Sequence, residues 1–272
     1  MEHQQTQPSH HERDLAIIRS LRLIDDDFMK LCFDGNIPLT EYTLRILLDK
    51  PDLRVLSVKA EYVIPNLYGH GVRFDVYAED ASGRSFDIEI QRADKGASPK
   101  RARYNSSIID AHAPIKGEEY ERLPESYVIF ITERDVLGLG LPLYHIERHI
   151  EEAKRRFGDE AHILYANASY RGNDPLGELM HDFMTANPDE MRESPLKETI
   201  SRMKNTPEGV SDVCKLIEDM LRENAVEERK NMATLFIGKL LKKKFPLSEI
   251  SEMVEMPVEE VERLAREAGF AI

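Results

Sequence analysis

The sequence predicts an α/β domain with a mixed central β-sheet, followed by an α-helical extension. Two neighbouring segments, residues 72–79 and 84–91, alternate apolar and polar side chains, which is the pattern of half-buried strands. Stretches with helical spacing separate them from further strand candidates at 127–132 and 161–167, an order that favours α/β architecture. From about residue 187, apolar residues recur at helical spacing among many charges. We therefore divide the chain into a disordered tail (1–14), an α/β domain (15–186) and a helical C-terminal region (187–272).

The 272-residue chain has the composition of a soluble globular protein, with 41% hydrophobic and 32% charged residues. No apolar run approaches the roughly 20 residues of a membrane span, and residues 1–5 lack a signal peptide's apolar core. Cys32 and Cys214 are too few for a disulfide framework, so we expect a cytoplasmic protein with no membrane partner. No Walker motif or dinucleotide fingerprint occurs, so no nucleotide cofactor is expected. The net charge of −13 argues against indiscriminate DNA binding, which phosphate contacts dominate.

The two alternating segments form a predicted β-hairpin that carries two acidic residues. The three-residue loop 81–83 ends in glycine, which suits a tight turn that closes with a left-handed residue. This turn sets a register in which Asp75 lies across from Glu89. Facing carboxylates repel each other, and a hard divalent cation such as Mg²⁺ would convert that repulsion into coordination. The alternative is a solvated polar face whose charges point into water.

A basic cluster follows the second strand directly and leads into a helix predicted from residue 99 to about 112. Residues 92–103 hold five basic side chains against one acidic residue, Asp94. In a chain of net charge −13, such a cluster favours phosphate contacts that hold a nucleic-acid backbone in place. A solvated basic face is the alternative. The basic residues are Arg92, Lys95, Lys100, Arg101 and Arg103.

Four pieces of the sequence, in consistent order, carry a resemblance to a known family. They are Asp27-Phe-Met-Lys30, residues 73–77 with 87–91, residues 101–104, and residues 117–120 leading into 127–131. This pattern resembles the PD-(D/E)XK nuclease superfamily, and within it the Rpn-type recombination-promoting nucleases, also called PD-(D/E)XK family transposases. The resemblance covers roughly residues 20 to 185. It implies a restriction-endonuclease-like core, DNA as the partner, and Mg²⁺ as the cofactor, with Mn²⁺ as an alternative ion.

The resemblance also implies roles for individual residues of the hairpin. Asp75 and Glu89 would hold the metal, and the backbone carbonyl of Ile90 would complete the protein ligands. Gln91 stands where most members of the superfamily have lysine, although glutamine is common in this branch. A neutral amide can orient the attacking water, but it cannot stabilise developing negative charge as an ammonium does.

Two further positions take roles from the resemblance, and each has an alternative in the residues themselves. Asp27 matches the third acid that superfamily nucleases contribute from a helix before the sheet. Helix capping is the alternative for this acid, and the preferred interpretation of Asp25 and Asp26. Arg101 and Tyr104 would line the site, although Tyr104 alone reads equally well as a core aromatic.

The C-terminal segment 247–268 predicts two short helices with the shape of a helix-turn-helix. The second of them carries four glutamates against two arginines, a poor face for the major groove of DNA. We therefore interpret this segment as an accessory element rather than a DNA reader. The C-terminal helices are the candidate surface for a homodimer.

These observations together predict a Mg²⁺-dependent DNA endonuclease of the recombination-promoting, transposase-associated type. Little sequence specificity is expected, because no clear base-reading element is visible. The alternative is a catalytically inactive nuclease fold that serves as a DNA-binding or protein-interaction module, which the lysine-to-glutamine departure and the acidic surface motivate. An RNA-directed nuclease is a third reading that the residues leave open.

Overall fold

The computed structural model describes residues 10–65, 71–92, 96–113 and 120–270. The chain forms two units, which divide between Cys214 and Lys215. The helices are α1 (His10–Ser20), α2 (Asp26–Phe33), α3 (Ile37–Leu48), α4 (Pro99–His112), α5 (Pro175–Met184), α6 (Pro195–Asn205), α7 (Pro207–Lys242), α8 (Leu247–Val254) and α9 (Val258–Glu267). The strands are β1 (Val55–Ile64), β2 (Val72–Asp80), β3 (Ser85–Gln91), β4 (Ser126–Thr132), β5 (Leu143–Ile146), β6 (His149–Ile150), β7 (Arg155–Arg156) and β8 (Ala161–Asn167).

A mixed sheet forms the centre of the first unit, with strand order β1-β2-β3-β4-β8-β5. The first three strands are antiparallel, β3, β4 and β8 run parallel, and β5 is antiparallel to β8. Every residue of β4 is buried, as expected for a central strand covered on both faces. A mixed sheet flanked by helices, with helices following it, confirms the predicted α/β, restriction-endonuclease-like class.

The hairpin of β2 and β3 has the register that its turn predicts. Four pairs run from Val76–Ile88 to Glu79–Ser85, and the same register continued by one residue brings Asp75 opposite Glu89. Gly83 has φ +81, the left-handed conformation that glycine adopts without steric cost. The local turn thus sets which side chains of the two strands face each other.

Helices cover both faces of this sheet. Helix α4 packs its buried residues Ala102, Ile108 and Ile109 into a core with Val128 and Phe130 of β4. Helix α2 contacts β1, β2 and β3, and helix α3 contacts β1, α5 and α6. These contacts bring side chains of α2 and α4 to the polar positions of β2 and β3.

The first unit extends to Cys214, beyond the boundary after residue 186 that the sequence analysis predicted. Asn36 donates a hydrogen bond to Thr199 Oγ1 at 2.9 Å, which joins α3 to α6. Pro195 and Pro207 each stand at the first position of a helix, which tolerates proline because its N–H has no helical partner. These prolines therefore start helices rather than interrupt a linker.

The N-terminal helix α1 begins at His10, within the stretch that the sequence assigns to a disordered tail. Ile18 is 1% exposed and anchors this helix in the core of the first unit. Residues 1–9 lie outside the described residues.

The second unit contains the C-terminal part of α7 together with α8 and α9. Its small core is apolar, and the predicted pair of short helices is confirmed, with Glu255 in a left-handed turn between them. Within the described ranges, no helix combines the length and apolar character needed to cross a membrane. The fully buried core residues are Ile237, Leu240, Ile250, Val261, Leu264 and Ala265.

Candidate active site

Two acidic side chains lie buried at the junction of β2 and β3. Asp75 is 6% exposed and Glu89 is 0% exposed, so the alternative of a solvated polar face is wrong. Asp75 Oδ2 accepts a hydrogen bond from the backbone N–H of Ile90 at 3.2 Å, which ties the carboxylate to β3. Burial raises the pKa of Asp75, and the nearby charge of Asp26 raises it further.

The neighbouring strand β1 is distorted beside this site. The β1–β2 ladder pairs Tyr62 with Phe74 and Ala60 with Val76, on either side of Glu61 and Asp75. Glu61 has φ +51, a left-handed conformation that costs energy for a residue with a side chain and is common at functional sites.

Glu89 is held from the other side by helix α4. Arg101 Nη2 forms an ion pair with Glu89 Oε2, and Asn105 Nδ2 donates to Glu89 Oε1 at 3.3 Å. Arg101 and Asn105 are four residues apart, so they share one face of the helix. Burial raises the pKa of Glu89 to about 7, with repulsion from Asp75 adding to this shift and Arg101 opposing it.

A third buried acid is Asp87, which lies on β3 and to which the sequence analysis assigned no role. It is fully buried and accepts a hydrogen bond from Asn105 Nδ2 at 2.9 Å. Its other oxygen, Oδ1, has no hydrogen-bond partner among the described residues. Burial raises the pKa of Asp87 well above its usual range, and the charge of Glu89 raises it further. The only sequence signal for it is its place in the alternation of the strand.

Lys30 is the second residue that sequence reasoning missed. Its side chain is 8% exposed, and its pKa is raised because the surrounding carboxylates outweigh the cost of burial. The available signal was its position in the motif that begins at Asp27, on a helix that packs against the acidic strands. The distances from Lys30 Nζ to carboxylate oxygens are 3.0 Å to Asp26, 3.7 Å to Asp75, 3.8 Å to Asp27 and 3.9 Å to Glu61.

Asp27 and Gln91, two further predicted site residues, lie near the buried acids in different ways. Asp27 contacts Lys30, but its side chain is 41% exposed, and Asp26 is the acid of α2 whose charge acts on Asp75. Gln91 is half-buried and occupies space beside Gly96. A Cβ at residue 96 would lie 1.5 Å from Gln91 Oε1, so glycine there makes room for the amide.

The structure places the described residues of the predicted basic cluster in different environments. Arg101 turns toward Glu89, while Lys100 and Arg103 are exposed on α4. Arg92 is paired with Asp25 at 3.2 Å and with Glu133 at 3.9 Å. Lys95 lies outside the described residues. Tyr104 is 42% exposed, so its alternative interpretation as a core aromatic is wrong.

The ionic composition around Asp75 bears on metal binding. Four carboxylates share ion pairs with Lys30 and Arg73, and Arg101 pairs separately with Glu89, so the formal charge with all eight groups ionised is −2. In the described part of the chain, no group of three or more His, Cys, Asp or Glu side chains is arranged to hold a metal ion. The carboxylates are engaged by Lys30 and Arg101 instead. The acids are Asp26, Asp27, Glu61, Asp75 and Glu89, and the cations are Lys30, Arg73 and Arg101.

The region that carries this site matches a known family. The family model described as "PD-(D/E)XK nuclease family transposase" matches residues 47–168, which include β2, β3 and α4. No curated protein and no solved structure matches the chain. The match supports a nuclease or transposase-associated function, a hydrolase class and a DNA substrate, and nucleases of this family generally use divalent metals. The resemblance found in the sequence is thereby confirmed: over residues 47–168 the chain is similar to the PD-(D/E)XK nuclease family transposases.

Proposed function

We propose that this protein is a metal-dependent DNA endonuclease of the recombination-promoting type, which hydrolyses phosphodiester bonds with little sequence specificity. The observation that carries the proposal is the buried pair Asp75 and Glu89 on adjacent strands, at the end where α2 and α4 bring charged side chains. Two buried carboxylates are costly unless cations compensate them, and burial together with the charge of Asp75 raises the pKa of Glu89. The site therefore stores an unfavourable interaction that a bound divalent cation would relieve.

Mg²⁺ is the proposed cation, with Mn²⁺ as an alternative ion. Asp75 and Glu89 offer hard oxygen ligands of the kind that Mg²⁺ prefers. The N–H of Ile90 faces Asp75, and in an extended strand the carbonyl of the same residue leaves on the same side. That carbonyl is our proposed third ligand, and Asp27 would add a further ligand or hold a second ion. When bound, the cation activates a water molecule and neutralises charge on the phosphate.

The protein's own residues take complementary roles in this proposal. Gln91, positioned against Gly96, orients the attacking water. Arg101, which is paired with Glu89, would contact the DNA backbone from that position. Lys100 and Arg103 hold the backbone from the exposed side of α4, because Arg92 shares its charge with Asp25 and Glu133. Tyr104 lies exposed on the same helix and contacts the DNA with them.

A second candidate function follows from the ion pair between Arg101 and Glu89. An arginine that permanently occupies the carboxylate would leave a nuclease fold without chemistry, as a DNA-binding or protein-interaction module. The neutral Gln91 also favours this alternative. The two functions differ in metal dependence, since an inactive module binds DNA equally well in Mg²⁺ and in EDTA.

Plasmid nicking by the purified protein in Mg²⁺ or Mn²⁺ tests the proposal. The variants Asp75→Ala and Glu89→Ala are compared with Glu79→Ala, an exposed acid on the same strand β2. We expect nicking by the parent and by Glu79→Ala, and loss of nicking in the two site variants and in EDTA. Competition between DNA and RNA substrates then identifies the preferred nucleic acid.

Each contrary result has a definite meaning. Nicking that survives both site substitutions would place the activity elsewhere or in a contaminant. Absence of nicking from a folded parent that binds DNA equally with and without metal would support the inactive module.

A further inference from the structure

We propose that Lys30 is a catalytic residue that supplies the positive charge missing at position 91. This inference rests on the proposed nuclease function, because it concerns how negative charge on the scissile phosphate is stabilised. Most members of the wider superfamily have a lysine two residues after the acid of β3, where this chain has Gln91. Lys30 comes instead from helix α2, outside the matched residues 47–168.

The position of Lys30 relative to Asp75 supports this role. Lys30 Nζ lies 3.7 Å from Asp75 Oδ1, while Asp75 Oδ2 accepts the N–H of Ile90, the residue next to Gln91. The ammonium of Lys30 and the backbone of β3 therefore approach the same carboxylate from its two oxygens. Helix α2 thus delivers a positive charge directly beside a carboxylate of the proposed site.

The hydrogen-bonding capacity of Lys30 leaves room for a substrate. An ammonium group has three donors, and of the four carboxylates around Lys30 only Asp26 lies within hydrogen-bond distance, at 3.0 Å. The other three oxygens are 3.7 to 3.9 Å away, which is too far for a hydrogen bond. The side chain is thus held in place electrostatically while donors remain for a phosphate oxygen.

Arg101 is less suited to this role. Its guanidinium forms the ion pair with Glu89 and donates a hydrogen bond to the carbonyl of Gly96 at 3.1 Å, so two directions of the group are already used. It also lies over the ring of Phe130, 5.9 Å from the centroid. Lys30 is more deeply buried than Arg101, and a charge acts more strongly where water is excluded.

The chemical step that Lys30 assists is hydrolysis of one phosphodiester bond. The oxygen of a water molecule bonds to phosphorus and gives up a proton to solvent, while the P–O bond to one sugar oxygen breaks and that oxygen takes up a proton from solvent. Negative charge grows on the non-bridging oxygens during this exchange, and Lys30 stabilises it without giving up its own proton. A purely structural lysine would only balance the charge of Asp75.

The experiment compares Lys30→Met, Lys30→Gln and Lys30→Arg with the double variant Lys30→Met/Gln91→Lys. Lys204→Met is the matched control, because Lys204 is as deeply buried as Lys30 but donates to backbone carbonyls. The readouts are kcat and KM for nicking, and the affinity for Mn²⁺ in the absence of DNA, measured by calorimetry. Circular dichroism establishes that each variant is folded.

We expect kcat to fall about 10²-fold in Lys30→Met and Lys30→Gln, with KM changed by less than about threefold. Mn²⁺ binding should persist in both variants, because no metal ligand is removed. Lys30→Arg should keep more activity than either neutral variant. The double variant Lys30→Met/Gln91→Lys should have a kcat at least about tenfold higher than that of Lys30→Met. Lys204→Met should have the kcat of the parent.

Three results would overturn the inference. One is an unchanged kcat in the folded neutral variants. Another is loss of Mn²⁺ binding in these variants to the extent seen in Asp75→Ala, which would make Lys30 a partner of the metal ligand. A third is a parent that shows no cleavage at all, which removes the nuclease proposal together with the inference. A parent that cleaves and depends on Asp75, while Lys30→Met cleaves equally well, removes the inference alone.

Discussion

Gln91 lies against Gly96 in an arrangement that depends on the absence of a side chain at residue 96. The carboxylates beside it are buried, so the water that Gln91 orients would sit in a site with little mobile solvent. A single added carbon atom at residue 96 would therefore displace the side-chain amide of Gln91.

Gly96→Ala tests that dependence. The new Cβ would lie 1.5 Å from Gln91 Oε1, so the flexible amide must move away. We expect kcat to fall about tenfold with a change in unfolding free energy below about 1 kcal/mol. In a Gln91→Ala background the same substitution should have no further effect on kcat, which a double-mutant cycle would measure. Equal losses in both backgrounds would contradict this explanation.

Lys204 gives a pH-dependent prediction at the same scale. Burial lowers the pKa of Lys204 to about 8, against 10.5 for an ordinary lysine. Between these values the unfolded chain binds more protons than the folded one, so stability rises with pH from about 8 to 10.5. Below pH 8 the buried charge costs its full amount, about 3 kcal/mol.

The measurement compares urea unfolding of the parent and of Lys204→Met across this pH range. We expect the parent to gain about 3 kcal/mol relative to the variant between pH 8 and 10.5. Parallel pH profiles would show that the three backbone carbonyls around Lys204 already compensate its charge.

At the scale of elements, helix α4 combines two functions on two faces. Arg101 and Asn105 face the acids of β3, while Lys100 and Arg103 are exposed. Ser98 caps the start of the helix by accepting the N–H of Arg101, which sets where these faces begin. The helix therefore links the buried carboxylates to the surface that would meet DNA.

Asn105→Leu is expected to destabilise the fold by about 2–3 kcal/mol. Asn105 is 1% exposed and donates to both Asp87 and Glu89, so its loss leaves two buried acids without this donor. Urea unfolding measures the effect, with Ser107→Leu on the exposed face of α4 as the control. In an Asp87→Leu background the cost of Asn105→Leu should shrink. An equal cost there would mean that packing volume rather than hydrogen bonding explains the loss.

At the scale of the whole molecule, exposed basic side chains occur on α4 and on α9 of this acidic chain. The arginines of α9 are already paired within their own helix: Arg263 with Glu260 and Glu267, and Arg266 with Glu262. This agrees with an accessory role for the second unit. Its helix α7 exposes Leu221, Met232 and Leu235, and a homodimer through these helices stays a prediction that sedimentation of the parent and of Leu235→Glu would check.

Salt-dependent DNA binding distinguishes the two basic surfaces. Arg103→Ala on α4 should weaken binding and reduce the slope of log affinity against log salt by about 1, because one phosphate contact is lost. Arg266→Ala on α9 should leave both quantities unchanged, since its charge is shared with Glu262. Fluorescence anisotropy with a labelled duplex in Ca²⁺ measures both. A larger effect at Arg266 would assign DNA reading to the helix-turn-helix.

Much of the fold followed from local signals in the chain. The glycine at residue 83 and the alternation on either side of it determined the hairpin, including the register that brings Asp75 and Glu89 together. The approximate bounds of α4 and of the two final helices also agree with those expected from the sequence. These features are readable because turns, caps and periodicity act over a few residues.

The partners of the acids were decided by the tertiary structure. Lys30 meets Asp75 across 45 residues of chain, and Asn105 meets Glu89 across 16, so no local pattern pairs them. Helix α4 covers the polar face of the hairpin and buries Glu89 there, whereas the sequence alone left open a face exposed to solvent. Burial in turn raises the pKa of Glu89. By itself, the sequence determined which residues carry charge and in what register. Packing of helices on the sheet decided which of those charges meet and how far water is excluded, because it depends on side chains that are distant along the chain.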